Sequence, residues 1–443
     1  MNRRGALKTM TGTAAGLLSG GGPAAAAQAA ARRGMPPLKI TGVKVIRTAP
    51  AGSRLVIVKV LTSEPGLYGI GCATHQERPT AVAAALEDDI GPFIQGRNCD
   101  EIEDIWQSVY VASYFRGGVT LNNALSGIDG ALWDILGKRL GVPVFQLLGG
   151  KARAAATLYA HASGRDIQEV EDGVRKWMEQ GYRHVRVQTA AAGFAGYGVS
   201  ARTSEEVQKL RPDGVAPSPV SEPTPYFNTA LKMFETLRSR IGFDVELLHD
   251  SHERLPPSQA LQFARLVEPY RLFFLEDPFA PEDVAWFQVM RQQSTTAIAM
   301  GALFVNRNEW VPLVANRLID FIRCHISAVG GLNMARKIAA CCEFFHVRTA
   351  WHGPGNVSPA GHAVNLHLDL AVPNFGIQEQ NVFNEVVREV FPGAPEIRRG
   401  YLYSNDKPGL GIDIDEKAAA KYPYKSSYNR GDQRRLDGSV QLP

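Results

Sequence analysis

After Gly150 the chain alternates eight short apolar stretches with segments of 3.6-residue periodicity, and this alternation constrains its fold more than any other feature. The stretches are TLYAHAS (from Thr157), HVRVQT (from His184), FDVELLHD (from Phe243), LFFLEDP (from Leu272), AIAMGALF (from Ala297), IDFIRCHI (from Ile319), VRTAWHG (from Val347) and FGIQE (from Phe375). Between them lie helical patterns such as QALQFARLVEP and EDVAWFQVMRQQ, whose apolar residues recur at helix spacing. Eight strands each followed by a helix make a (β/α)8 TIM-type barrel, whose chemistry gathers at the C-terminal ends of the strands.

The preceding part reads differently. KITGVKVIRTA, RLVIVKVLTS and LYGIGCATHQ alternate as paired strands, and helical periodicity then takes over in TAVAAALEDDIGPFI, EIEDIWQSVYVAS and NNALSGIDGALWDILGKRLG. Strands followed by helices form an α+β unit. The expected organisation is therefore α/β, with a capping domain over 36–150, the barrel over 151–400 and a C-terminal segment over 401–443 that packs on the capping domain. One stretch breaks the rhythm: Gly193 to Phe227, rich in Pro and Ser, separates the second and third barrel strands. A loop of that length leaving the catalytic face is read as a lid, with plain disorder as the alternative.

Residues 1–35 stand apart. Arg3-Arg4 precedes a Gly-rich, weakly apolar stretch and then PAAAAQAAARRG with small-residue cleavage sites, a pattern resembling a twin-arginine export signal, with a disordered tail as the alternative reading. Export would place the mature protein in the periplasm. No later apolar run reaches the ~20 residues needed to span a membrane. The 48 Lys+Arg against 44 Asp+Glu are scattered, which argues against a nucleic-acid partner. Five cysteines, an odd number with Cys341 and Cys342 adjacent in a helical pattern, read as core thiols rather than a disulfide framework.

Polar residues end nearly every barrel strand: His249, Asp250 and His252 after the third, Glu276 and Asp277 after the fourth, Arg323 and His325 on the sixth, His352 on the seventh, Glu379 on the eighth. Two carboxylates on adjacent strand ends suit a hard divalent cation such as Mg2+, which would stabilise the enediolate formed when a base removes a proton α to a carboxylate. A salt-bridge network at the barrel mouth is the structural alternative. The spacing from Asp250 to Glu276 is 26 residues, and 26 more lands on Ala302, at the end of the fifth apolar stretch.

These residues carry a resemblance. ALSGIDGALWDILGKRLGVPVFQLLGG, YAHASG, YRHVRVQ, LLHDSHERL, EPYRLFFLEDP, IDFIRCHISAVGGLNMARKIAACCEFFHVRTAWHGPGNVSP and VPNFGIQE resemble the enolase superfamily, of mandelate racemase/muconate lactonizing enzyme type, and most closely its mannonate dehydratase-like group. The resemblance implies a homo-oligomer acting on a small sugar acid. It implies that Asp250 and Glu276 bind Mg2+, and that the third ligand, a Glu in the family, is replaced by Ala302. It assigns the base to Tyr197 assisted by Arg186, and the general acid to His252. It assigns substrate contacts to Arg323, His352, Glu379, His161 and Gln76, the last in place of an Asn. Pro354 and Asn356 in HGPGN also depart from the pattern of efficient dehydratases. An alanine offers no oxygen to a cation, so three outcomes stay open: a weakened dehydratase, a site that uses Asp277 or water instead, or a protein that binds a sugar acid without turning it over.

Overall fold

The structure, a computed structural model, describes residues 36–75, 77–112, 114–355, 357–425 and 432–442. The expected export signal over 1–35, Gln76 and Asn356 lie outside the described residues.

Three antiparallel strands open the chain: β1 (Ile40–Thr48), β2 (Leu55–Thr62) and β3 (Tyr68–Cys72), in that order across the sheet. Helix Val119–Leu140 packs on this sheet and is buried on most sides. Two glycines of β3 let it approach. A Cβ at Gly69 would sit 2.0 Å from the carbonyl oxygen of Ala131, and one at Gly71 would sit 2.1 Å from that of Gly127. Strand and helix therefore meet backbone to backbone, which explains why the strand reads YGIGC instead of a β-branched run.

The barrel strands are β4 (Ala156–Gly164), β5 (His184–Thr189), β6 (Glu246–Asp250), β7 (Phe274–Glu276), β8 (Ile298–Met300), β9 (Phe321–Ile322), β10 (Arg348–Thr349) and β11 (Gln378–Glu379). From β4 to β10 they pair in parallel and in sequence. A parallel bridge from Thr349 to Phe375, with the Gly376 N–H donating to the Thr349 carbonyl at 2.8 Å, carries the ring on to β11. β11 then pairs in parallel with β4. These contacts close the circle of eight.

Side chains alternate along each strand, and the alternation builds two layers. Tyr159, Leu248, Phe274, Ala299, Phe321, Ala350 and Ile377 form one buried apolar cluster inside the barrel. Two residues further along the seven strands that supply it, all but β5, stand His161, Asp250, Glu276, Gly301, Arg323, His352 and Glu379. The polar layer thus lies one pleat beyond the apolar one, toward the C-terminal mouth, and six of its seven positions carry functional groups.

The seventh position corrects an expectation. β8 ends at Met300, not at Ala302. Gly301 adopts φ +134°, the Phe304 N–H closes a turn on its carbonyl at 3.0 Å, and Ala302 lies half-buried within that turn. Glycine is suited to such a reversal because it lacks a Cβ.

The long segment before the third barrel strand is also shorter than it reads. Helix Pro223–Ile241 absorbs its end, and a short helix, Glu205–Gln208, lies inside it. The C-terminal segment divides in two. Strands β12 (Glu396–Arg398) and β13 (Tyr401–Tyr403) extend from β4, and the chain then runs along the capping domain, with the Leu410 N–H on Asp134 Oδ1 at 2.8 Å and Lys59 on Glu416 at 2.8 Å. Residues 432–442 instead pack on the insertion. The Arg434 N–H donates to the Pro219 carbonyl and the Ser221 N–H to the Arg434 carbonyl, both at 2.9 Å. All five cysteines are free. Among the described residues no helix is long and apolar enough to cross a membrane.

Candidate active site

Register places the first two carboxylates. Asp250 and Glu276 are direct partners across β6 and β7, and Arg186 is the residue of β5 opposite Leu248. Arg186 Nη1 lies 3.2 Å from Asp250 Oδ2, 3.3 Å from Glu276 Oε1 and 3.6 Å from Glu379 Oε1. Arg323 completes a second bridge, 2.5 Å from Glu276 and 3.1 Å from Glu379, while its other Nη donates to the Tyr159 hydroxyl at 2.9 Å. All five charged groups are nearly inaccessible to solvent. A buried guanidinium is tolerable only with such partners.

Around Glu379 gather the histidines. His161 Nε2 stands 3.0 Å from Oε1 and His352 Nε2 3.9 Å from Oε2. His325, not among the residues expected to touch substrate, reaches His352 with Nδ1 to Nδ1 at 3.2 Å; its place two residues after Arg323 on the same strand end is the signal that could have included it. Burial lowers the pKa of His161, with Arg186 adding to the effect and Glu379 opposing it. Burial lowers His325 to about 4 and takes His352 well below its ordinary value. In this arrangement the imidazoles are neutral at pH 7, able to donate and accept hydrogen bonds to hydroxyl groups.

The insertion brings Tyr197 to the same place. Its ring stacks on His252, centroids 3.7 Å apart at 24°. Burial raises the Tyr197 pKa, the charge of Asp250 adds to it, and Arg186 counters. His252 and Glu253 both hold positive φ, 48° and 58°, in a turn fastened by the His252 N–H on Asp250 Oδ1 at 2.8 Å and the Glu253 N–H on the Asp277 carbonyl at 3.0 Å. Arg254 seats beneath: it donates to the carbonyls of Asp250 (2.8 Å) and Ser251 (2.9 Å) and lies over the rings of Tyr226 (4.0 Å) and Tyr197 (5.4 Å). Arg254 was legible only as part of LLHDSHERL, with nothing in its spacing to mark its role.

Of the expected residues, the structure brings together Arg186, Tyr197, His252, Asp250, Glu276, Arg323, His161, His352 and Glu379. Ala302 lies in the turn after β8, next to Gly301, whose N–H donates to Asp277 Oδ1, and brings no polar side chain there. One further carboxylate joins: Asp277 offers an oxygen which, with one each from Asp250 and Glu276, forms a set lying within 4.8 Å of one another. Burial drives the Glu276 pKa well up against the opposition of Arg323, and it lifts Asp277 to about 7 with Asp250 adding to the rise. Glu276 Oε2 is buried without a hydrogen-bond partner. An orphaned carboxylate oxygen beside other carboxylates is what a site for an oxygen-loving cation requires, so the donor set fits Mg2+.

Two family descriptions match the chain: the mandelate racemase/muconate lactonizing enzyme N-terminal domain over residues 29–149, and the enolase C-terminal domain-like family over residues 169–418. The fold and the strand-end site are those of an enolase-superfamily protein. Among similar proteins, the D-galactonate dehydratase family member RspA of Pantoea ananatis is 51% identical over 92% of this chain and 100% of its own length. A D-galactonate dehydratase family member from Musicola paradisiaca is 52% identical over 88% of this chain and 95% of its own. A crystal structure of an enolase from Pantoea ananatis with bound D-gluconate and Mg superposes with a TM-score of 0.87 at 52% identity, covering 92% of this chain and all of that one. The chain belongs to the D-galactonate dehydratase family of the enolase superfamily.

Proposed function

We propose that this chain is a dehydratase-type protein for sugar acids, acting on an aldonate by α-proton abstraction and β-elimination of water to a 2-keto-3-deoxy acid, with turnover impaired by Ala302. The observation that carries the reading is the closed ring of Arg186, Glu276, Arg323 and Glu379 at the barrel mouth, with Asp250 joined to Arg186 and the His252 N–H, and Tyr197 stacked on His252. The relative with bound D-gluconate and Mg supports the substrate class.

In this reading Arg323, His161 and His352 orient the carboxylate and hydroxyls of the acid, and Glu379 holds those three donors in place. Gln76 is assigned a substrate contact as well. Tyr197, as the phenolate that the Arg186 charge favours against burial, takes the C2 proton; His252, as the imidazolium, delivers its proton to the departing C3 hydroxyl, which leaves as water. The enol that remains tautomerises to the ketone, so atoms and charge balance. When bound, Mg2+ supplies positive charge opposite the substrate carboxylate as negative charge develops. Loss of the family's third carboxylate weakens that electrostatic support, a contribution commonly of several kcal/mol.

Ala302 favours one second reading, a non-catalytic binding protein for sugar acids. Export to the periplasm by the twin-arginine leader and assembly into a homo-oligomer belong to the proposal in either case. Calorimetry against a sugar-acid library, with and without Mg2+, followed by an assay for keto-deoxy acid, separates the readings. Binding with slow turnover supports the first, and binding with none supports the second. Fast wild-type turnover refutes impairment, and failure to bind any acid removes both.

A further inference from the structure

The position of Asp277 has a use that the family pattern does not assign. We propose that the cation site of this chain is built from two strand ends instead of three, with Asp250 on β6 joined by both Glu276 and Asp277 on β7, so that Asp277 stands in for the ligand missing at Ala302. The choice of Mg2+ rests on the sugar-acid reading above; the site itself rests on geometry.

Oxygens that share one ion lie at most twice the bond length apart, about 4.2 Å for Mg2+ and about 5 Å for a larger cation such as Ca2+. The three carboxylates lie within 4.8 Å of one another, so they span a larger cation as they stand and reach Mg2+ by closing in by less than about 1 Å, and their residues are 1%, 1% and 4% exposed for Asp250, Glu276 and Asp277. Consecutive residues of a strand normally point to opposite faces. Asp277 escapes this rule because it sits at φ 39°, in the left-handed region, which Asp tolerates better than most residues. Its backbone turns just past the strand, and the side chain comes round to the same side as Glu276.

A hydrogen bond aims it further. The Gly301 N–H donates to Asp277 Oδ1 at 3.2 Å, which anchors one oxygen at the turn bearing Ala302 and leaves Oδ2 for a ligand. Independently, Glu276 Oε2 is buried without a hydrogen-bond partner. Charge points the same way. Four buried carboxylates (Asp250, Glu276, Asp277, Glu379) face the two guanidiniums ion-paired to the cluster, Arg186 and Arg323. With all four ionised, the state a bound cation favours, the surplus of two negative charges is that of one divalent cation.

Mn2+ titration followed by electron paramagnetic resonance reads the site directly, whatever the substrate, on wild type, Asp277→Asn, Ala302→Glu and the double variant. Asn keeps the oxygen that accepts from Gly301, and thermal melts check that each variant is folded. The expected result is one Mn2+ per wild-type chain, at least tenfold weaker binding in Asp277→Asn, and recovery to wild-type affinity or better in the double variant, where the family's ligand returns. Wild-type affinity in Asp277→Asn overturns the proposal. So does a double variant as weak as Asp277→Asn alone, or a wild-type chain that binds no Mn2+. The acid-binding screen fails or succeeds separately, so loss of the dehydratase reading is distinguishable from loss of this one.

Discussion

Tyr197 and His252 stack face to face with ring centroids 3.7 Å apart, although one comes from the insertion and the other from the turn after β6. The proposed base and acid are thus one packed unit, and whatever holds the turn holds both.

Arg254 is the residue beneath that unit. Replacing it with Met keeps much of the volume but deletes donors to the Asp250 and Ser251 carbonyls. Each carbonyl keeps one donor, Gln188 Nε2 on Asp250 at 3.0 Å and the backbone N–H of residue 254 on Ser251 at 3.1 Å, so the loss is that of two hydrogen bonds from a charged group, and Arg254→Met is expected to lower unfolding stability by about 2–4 kcal/mol in urea titration. An unchanged midpoint would show that water replaces the guanidinium without penalty.

Mg2+ is expected to stabilise the folded chain. A ligand bound only by the native state at a hundred times its Kd adds about 2.7 kcal/mol. The melting temperature should rise with millimolar MgCl2 and fall back with a chelator, and this response should shrink in Glu276→Gln, which removes a charged ligand. A melt indifferent to Mg2+ in wild type counts against a site of any useful affinity.

His367 gives a pH signature away from the site. The Phe145 N–H donates to its Nδ1 at 3.0 Å, which requires that nitrogen unprotonated, and burial lowers its pKa to about 4. Between pH 6.5 and 4 the unfolded chain takes up a proton here that the folded chain does not, so this contribution is complete above about pH 6.5 and is lost as the pH falls toward 4. The destabilisation caused by His367→Gln should therefore be larger at pH 7.5 than at pH 5. Equal values at the two pH values would mean the ring is not held neutral.

Gly71→Ala tests the close approach of strand and helix in the capping domain. A Cβ 2.1 Å from the Gly127 carbonyl oxygen has only backbone to displace, and overpacking of this kind costs ~1–3 kcal/mol or more. The variant should melt several degrees lower. Retention of the wild-type melt would show that the helix can move away freely.

Much of this arrangement was legible in the sequence because two periods are superimposed in it. Apolar runs at regular intervals marked the barrel, and polar residues at their ends marked the site: Asp250, Glu276, Arg323, His352 and Glu379 all stand one pleat beyond a buried apolar residue. What escaped depends on backbone turns that side-chain periodicity does not encode. The reversal at Gly301 moves Ala302 out of its strand, and although Asp277 was legible as a possible stand-in ligand, the left-handed backbone that turns it from the opposite face into the site was not. The seat of Arg254 and the return of residues 432–442 to the insertion are long-range contacts, and no local pattern announces them.

The placement of residue 302 also bears on how such a site can change over generations. Each polar position on a barrel strand shares its register with an apolar neighbour two residues away, so drift there risks the fold. Ala302 lies past the strand, half-exposed in a turn that Gly301 shapes without it. A substitution at this point is nearly invisible to selection for stability and fully visible to selection for chemistry. On the proposed reading, it is a position where a lineage can lose a ligand, or regain one, in a single step.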